Sequence, residues 1–503
     1  MIARLFTSRR DSRAGAAAAA LPVPQFETDA EQRYRPIELS MVRRLLYALA
    51  PYKKQYRLGV FLGMTQVLLD QQGPRFMRTI VNASLAREVF VAIGFWAFLF
   101  AISVTLDRWK ILIMTRAGES VQFNFRRKLF DHLQTLSMSY YDKTKLGRII
   151  SRMTTDIGQM REINVWGIHH CVVWGSMMLF AAAMMSIYAD WRLLVSVAWL
   201  APVLFFANKR FLQIVSGAHQ IAREGWTRVS TNMAENITGM RVVTAFNRQD
   251  PNLGVFNRLQ FDNTENNVTV ARINGVYQPM LQTVGFLGKA IILLLGGYLC
   301  ASGKMKTADG RADVGGVVLA YMYWDSFMNP VLNFGNFYNQ LMMAMAGAER
   351  IFDLLETKPD VHDLADAKPI PRILGFVKFE NVTFGYNPAR PVLHDINFET
   401  HPGQMFALVG ATGSGKSSII SLVARFYQPQ QGKVLVDGHD LRYVTGESLH
   451  RQMGLVLQVN YLFTGTVMEN IRYAKPEASR EDVIAAAKAI GSHECILSLK
   501  DGY

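Results

Sequence analysis

Six apolar windows, each near the twenty or so residues a helix needs to cross hydrocarbon, dominate this 503-residue chain as far as Gln340. They run approximately from Tyr56 to Ile80, Glu88 to Leu112, Ile163 to Ile187, Leu193 to Asn208, Pro279 to Cys300 and Val314 to Gln340. Lipid satisfies no backbone N–H or C=O, so such segments fold as helices that bond within themselves. Two polar connections, between the second and third windows and between the fourth and fifth, keep helical periodicity with almost no Pro or Gly punctuation. These read as helices that continue far beyond the membrane.

The formal charge of +14 fits either a nucleic-acid binder or a membrane protein with basic cytosolic loops. Its distribution decides for the membrane. Arg43, Arg44, Lys53, Lys54 and Arg57 cluster at the start of the first window, and Arg126, Arg127, Lys128, Lys143, Lys145 and Arg148 fill the connection between the second and third. The turns on the other side, near Ala83 to Glu88 and Ala189 to Arg192, are short and poorer in positive charge. Both termini are therefore expected in the cytoplasm, with six crossings between them, and no nucleic acid is expected as a partner. Cys171, Cys300 and Cys495 are scattered and imply no disulfide framework. Residues 1–40 read as a disordered cytosolic tail, with an Arg-rich targeting segment as the other reading.

Several polar residues interrupt the windows. Asp70, Pro74, Arg75 and Arg78 break the first. Arg75 and Arg78 lie near its outer end and are expected to snorkel, whereas Asp70 is deeper and is a candidate for a cavity wall. In the sixth window Asp325, Asn329, Asn333, Asn336 and Gln340 recur every three or four residues and share one helix face. Such a stripe is either an interhelical hydrogen-bonding seam or the wall of a substrate path, and Lys289 in the fifth window poses the same choice.

After residue 356 the pattern changes. Residues 357–375, rich in Pro and Asp, read as a linker. From Phe376, VKFENVTFGY and VLHDINFET read as strands, and the apolar run Met405 to Val409 reads as a third that ends at GATGSGKS, Gly410 to Ser417. A helical stretch from Ser417 to Phe426 follows. Strand, GxxxxGK[ST] and helix together form a phosphate cradle: backbone N–H groups turn inward, the helix N-terminus favours anions, Lys416 adds a point charge and Ser417 a hydroxyl able to ligate Mg²⁺.

The segments VTFGYNPARPVLHDINFET, GQMFALVGATGSGKSSIISLVARFYQPQQGKVLVDGHDL and MGLVLQVNYLFTGTVMENI closely resemble the nucleotide-binding domain of ATP-binding cassette (ABC) transporters. LFDHLQTLSMSYYDKTKLGRIISRMTTDI and AENITGMRVVTAFNRQ resemble the two cytosolic loops of the exporter class with six helices per half. AGAERIFDLLE resembles the exit from the sixth helix, and VRRLLYALAPYKKQYRL the elbow helix before the first. The resemblance implies a multi-domain membrane protein. An all-α six-helix transmembrane domain with long cytosolic helical extensions (residues 41–356) would precede a partial α/β P-loop NTPase domain (376–503).

By position, the resemblance makes Tyr386 the residue that stacks on adenine, and Gly410, Gly413, Ser414, Gly415, Lys416, Ser417 and Ser418 the Walker A loop. It makes Gln458 the contact to Mg²⁺ and the attacking water, with ATP and Mg²⁺ as cofactors. It also implies dimerisation with a second half-transporter, short coupling helices at the loop ends, and a site in a bacterial inner membrane. The family's LSGGQ signature, Walker B aspartate, catalytic glutamate and switch histidine do not occur in these 503 residues. The chain is therefore expected to be truncated before the signature, and a homodimer of it to bind ATP without hydrolysing it. Two readings stand: a half of an ATP-driven exporter of a small molecule, lipid or peptide, or a silent membrane partner of a complete half.

Overall fold

The computed structural model describes residues 39–503, apart from 308 and 459; nearly all of the expected tail lies outside the described residues. Two compact units form. One takes the residues up to Gln134 with Lys145–Thr357; the other takes Thr135–Thr144 with Lys358–Tyr503.

The first unit is helical. An amphipathic α1 (Leu39–Leu49) precedes α2 (Lys53–Asp70) and α3 (Gly73–Asn82). Pro74 has no N–H to donate to the Asp70 carbonyl, so the first window folds as two helices with a break at Gln71 and Gln72. Then come α4 (Ala86–Thr135), the short α5 (Met138–Lys143) and the long α6 (Leu146–Tyr188). Three π-helical turns, Arg152–Asp156, Ile163–Gly167 and His170–Trp174, lie within α6. The chain continues as α7 (Trp191–Ala198), α8 (Leu200–Thr238), α9 (Met240–Ala245), α10 (Gln249–Ala301) and α11 (Val314–Glu356). The polar connections are helical, as their periodicity predicts.

Among the described residues, four helices are long and apolar enough to cross a membrane: Ala86–Thr135, Leu146–Tyr188, Trp191–Asn208 and Gln249–Ala301. The first and sixth windows fall outside this set for identifiable reasons. The first is interrupted at Pro74, and the polar stripe from Asp325 to Asn336 dilutes the sixth.

Arg75 and Arg78 do not simply snorkel. The Arg75 guanidinium stacks 4.2 Å from the Tyr188 ring centre. Arg78 holds Asp313 through two hydrogen bonds, of 2.5 and 3.3 Å. Asp313 also accepts from Asn82 at 2.6 Å and caps α11 through the Gly316 amide at 2.8 Å, while Asn82 accepts from the Gly315 amide. Only 2% of Asp313 is exposed, yet its four donors match its acceptor capacity. At the other end of α11, Arg350 makes a two-bond pair (2.6 and 3.0 Å) with the buried Asp156, in the first π turn. Gly347 leaves room for the Asp156 carbonyl, which a Cβ would meet at 2.8 Å.

The second unit is built on an antiparallel sheet ordered β2-β1-β3-β4: β1 (Val377–Phe384), β2 (Leu393–Thr400), β3 (Gln431–Val436) and β4 (His439–Asp440). Its core gathers Phe379, Val382, Phe384, Val434 and Val436 with Leu422 from α12 (Lys416–Val423) and Leu449. The expected linker is woven in: Ile370 joins this core, Lys368 exchanges backbone hydrogen bonds with Tyr443 and Thr445, and Asp363 pairs with buried Arg425 at 2.5 Å. Met405 to Val409 does not become a strand. No described neighbour pairs with its backbone, Met405 and Val409 are 96% and 89% exposed, and Leu408 is partly buried while Phe406 stacks on Phe398.

Asp313→Ala should lower stability by about 3 kcal/mol, since it strands Arg78 and uncaps α11. Burial raises the Asp313 pKa, but the hydrogen bonds from Arg78, Asn82 and the Gly316 amide outweigh it and hold the pKa below the ordinary 3.8. The contribution is therefore complete above that value and is lost as pH falls through the lower folded value. Thermal unfolding of the detergent-purified chain and its Asp313→Ala variant, as a function of pH, checks both points; an unchanged melting temperature would contradict them.

Candidate nucleotide-binding site

The loop from Gly410 to Gly415 takes three glycine conformations closed to L-residues: φ is +152° at Gly410, +86° at Gly413 and +92° at Gly415. Gly415 sets the direction of α12. A Cβ there would stand 2.5 Å from Leu393 Cδ2, so the residue is fixed both by its φ and by the packing of β2. Lys416 opens α12, whose first N–H groups have no partner within the helix. Its ammonium folds over the loop and donates to the carbonyls of Gly410 (3.0 Å) and Ala411 (2.8 Å), with Ser414 Oγ at 3.5 Å. A phosphate oxygen is a stronger acceptor than either carbonyl. With the exposed Ser417 hydroxyl beside it, this arrangement fits a nucleotide phosphate and its magnesium ion.

Tyr386 stands beside the same helix. Its hydroxyl lies 3.2 Å from Oγ of the buried Ser418, and its ring meets Tyr427 edge-on at 5.0 Å and Phe384 at 5.1 Å. These contacts hold the ring upright with much of its surface open, as stacking on a base requires. Gln458 is different: it lies exposed on a bend, and none of the described contacts joins it to the loop.

Sequence reasoning did not single out Tyr427 or Asp142. The Tyr427 hydroxyl donates to the Asp142 carboxylate, and burial, then Asp142, raises the Tyr427 pKa. Asp142 belongs to α5, in the Thr135–Thr144 stretch that folds with the second unit although both of its flanks belong to the first. Asp360 anchors the same stretch, accepting from Ser139 Oγ and donating its amide to Ser137 Oγ at 3.2 Å. The available signal was the Phe426–Tyr427 pair that follows α12: Phe426 packs on His450, and Tyr427 on Phe384 and Tyr386.

In the first unit Asp325, Asn329, Asn333 and Asn336 are all exposed on one face of α11, while the neighbouring Tyr323, Trp324, Met328 and Pro330 are buried. Asp325 and Lys289 are partners: they meet at 2.7 Å, with the ammonium 4.7 Å from the Tyr321 ring centre. Asn333 donates to the Asn329 carbonyl at 2.9 Å.

Comparison with known proteins matches residues 58–331 to the family described as ABC transporter transmembrane region, and 393–498 to that described as ABC transporter. The chain is 30% identical over 420 residues to the uncharacterised ABC transporter ATP-binding protein YknV of Bacillus subtilis, covering 83% of this chain and 67% of the relative. It is 28% identical to the putative multidrug export ATP-binding/permease protein YgaD of the same organism (92% and 81% covered). It is also 28% identical to the ATP-dependent lipid A-core flippase of Syntrophus aciditrophicus (84% and 68%).

Lys416→Ala should weaken binding of Mg-ATP roughly ten- to a hundredfold, the value of a charge-assisted contact, without altering helix content. Titration calorimetry and circular dichroism on the purified chain measure both. Undiminished affinity would remove Lys416 from the site.

Proposed function

Because this chain belongs to the ABC transporter family, as a half-transporter of its exporter class and by family an ATP-hydrolysing membrane protein, we propose that it exports an amphipathic small molecule, lipid or peptide. One observation carries this reading. A phosphate cradle with an upright aromatic beside it lies in the same unit as a segment whose two ends run directly into membrane-length helices.

In this reading Gly410, Gly413, Ser414 and Gly415 shape the cradle, and Lys416 offers its ammonium to the β and γ phosphates. Ser417 and Gln458 hold magnesium, and Tyr386 stacks on the base while Ser418 steadies Tyr386 from behind. Bound ATP supplies the free energy that alternates the cavity between two sides of the membrane. Six crossings, both termini in the cytoplasm and a bacterial inner membrane agree with the basic connections. A second half-transporter completes the dimer. The exposed face of Asp325, Asn329, Asn333 and Asn336 lines the path, since lipid offers those groups no hydrogen bond.

Asp325→Asn with Asn333→Ala should change ATP-driven uptake of fluorescent lipid and dye probes into inverted vesicles carrying the chain and its partner, and leave abundance and dimerisation intact. Loss of the dimer with unchanged transport per dimer would make the stripe a seam.

The Tyr427–Asp142 bond predicts a linked pair. Tyr427→Phe and Asp142→Asn should each shift Mg-ATP affinity by a similar factor of about three to ten, and the double variant no further. Independent, additive effects would show that the bond does not connect nucleotide to the α5 segment.

A further inference from the structure

Asp70 closes α2 well inside the first window, and Ser103 stands at a comparable depth in the second. Ser103 Oγ donates to Asp70 Oδ1 at 2.5 Å, and Gln66 Nε2 reaches Oδ2 at 3.4 Å. The Gln66 carbonyl in turn accepts from Lys110 Nζ at 2.7 Å, and Lys110 lies 2.6 Å from Asp107. The nearby ammonium thus pairs with Asp107 and reaches Asp70 only through the Gln66 amide. Among the described residues no Lys or Arg forms an ion pair with Asp70.

The site has a built floor and an open top. Ser103 and Lys110 are 3% and 8% exposed, whereas Asp70 is exposed on the surface of the chain. His169, 7% exposed, has no hydrogen-bond partner at either ring nitrogen. Its Nε2 points at Gly63, 2.8 Å from where a Cβ would stand. Gly63, Gln66 and Asp70 share one face of α2, at spacings of three and four, so the imidazole packs on that face two turns along from the carboxylate.

Lipid cannot face an open carboxylate at this depth. Asp70 uses two of its roughly four acceptor sites, and the Lys110–Asp107 pair leaves its charge uncompensated. We propose that Asp70 is the recognition group of an intramembrane binding site for a monovalent organic cation. Ser103 and Gln66 orient the carboxylate, and Asp107 keeps Lys110 from neutralising it. An ammonium or phosphonium centre seated there restores charge balance, which a neutral or anionic molecule of the same size does not.

This site rests on the export reading for its purpose, but not for its detection. The direct test is equilibrium binding of radiolabelled tetraphenylphosphonium to the full chain in lipid nanodiscs, beside tetraphenylborate, which has the same shape and the opposite charge. The wild-type chain should prefer the phosphonium. Asp70→Asn should weaken its binding at least about tenfold, close to the 1.4 kcal/mol that a tenfold change represents. Asp70→Glu should retain it, and Ser103→Ala, which frees the carboxylate without removing it, should weaken it less than Asp70→Asn.

Phosphonium binding indifferent to Asp70→Asn would overturn the proposal. So would equal binding of both probes, or a pH-dependent proton uptake at Asp70 with no cation competition. Asp70-dependent binding without ATP-driven transport in the assembled dimer would sink the export reading and keep the site; transport without Asp70-dependent binding would do the reverse.

Discussion

Hydrocarbon provides no hydrogen-bond partner, and most of the first unit follows from that one deficiency. The backbone answers it by folding into helices over nearly the whole length from Leu39 to Glu356. Where the backbone cannot answer, a side chain does. At the break created by Pro74, the fully buried Tyr323 donates its hydroxyl to the Gln71 carbonyl at 2.8 Å. Asp313 collects Arg78, Asn82 and the Gly316 amide, and Lys289 finds Asp325 on the neighbouring helix. Each pairing costs desolvation and returns specificity, because only one register of the helices satisfies it.

The second unit obeys a different constraint. Its demanding requirement is a backbone that can turn a chain of amides around an anion. Glycines at 410, 413 and 415 meet that requirement at φ values that a side chain resists. The sheet contributes rigidity: Phe384 on β1 props Tyr386 on one side, and Tyr427, arriving after α12, props it on the other. The site thus depends on residues whose only direct role is to keep others still.

Periodicity and local motif are one-dimensional signals, and they reached as far as one-dimensional signals can. The spacing of Asp325, Asn329 and Asn333 disclosed a face, and the cradle announced its glycines and Lys416. The partner of a face is another matter. Arg78 and Asp313 are 235 positions apart, Asp156 and Arg350 are 194 apart, and Asp142 reaches Tyr427 across 285. No window contains both members of any of these pairs. Met405 to Val409 shows the opposite limit. Its composition suits a strand, but strand formation is decided by a neighbouring backbone, which composition does not encode.

The three π turns of α6 give that helix an unusual kind of freedom. Each wedges one extra residue into a turn, so everything beyond it is rotated by about 100° relative to an uninterrupted α-helix. Asp156 faces Arg350 near one end of the helix and Trp174 faces Phe337 near the other. Such a helix behaves as a shaft with three couplings. Sliding a π turn along it would rotate only the residues it passes, by about 100°, and leave both ends of the helix in phase with their neighbours.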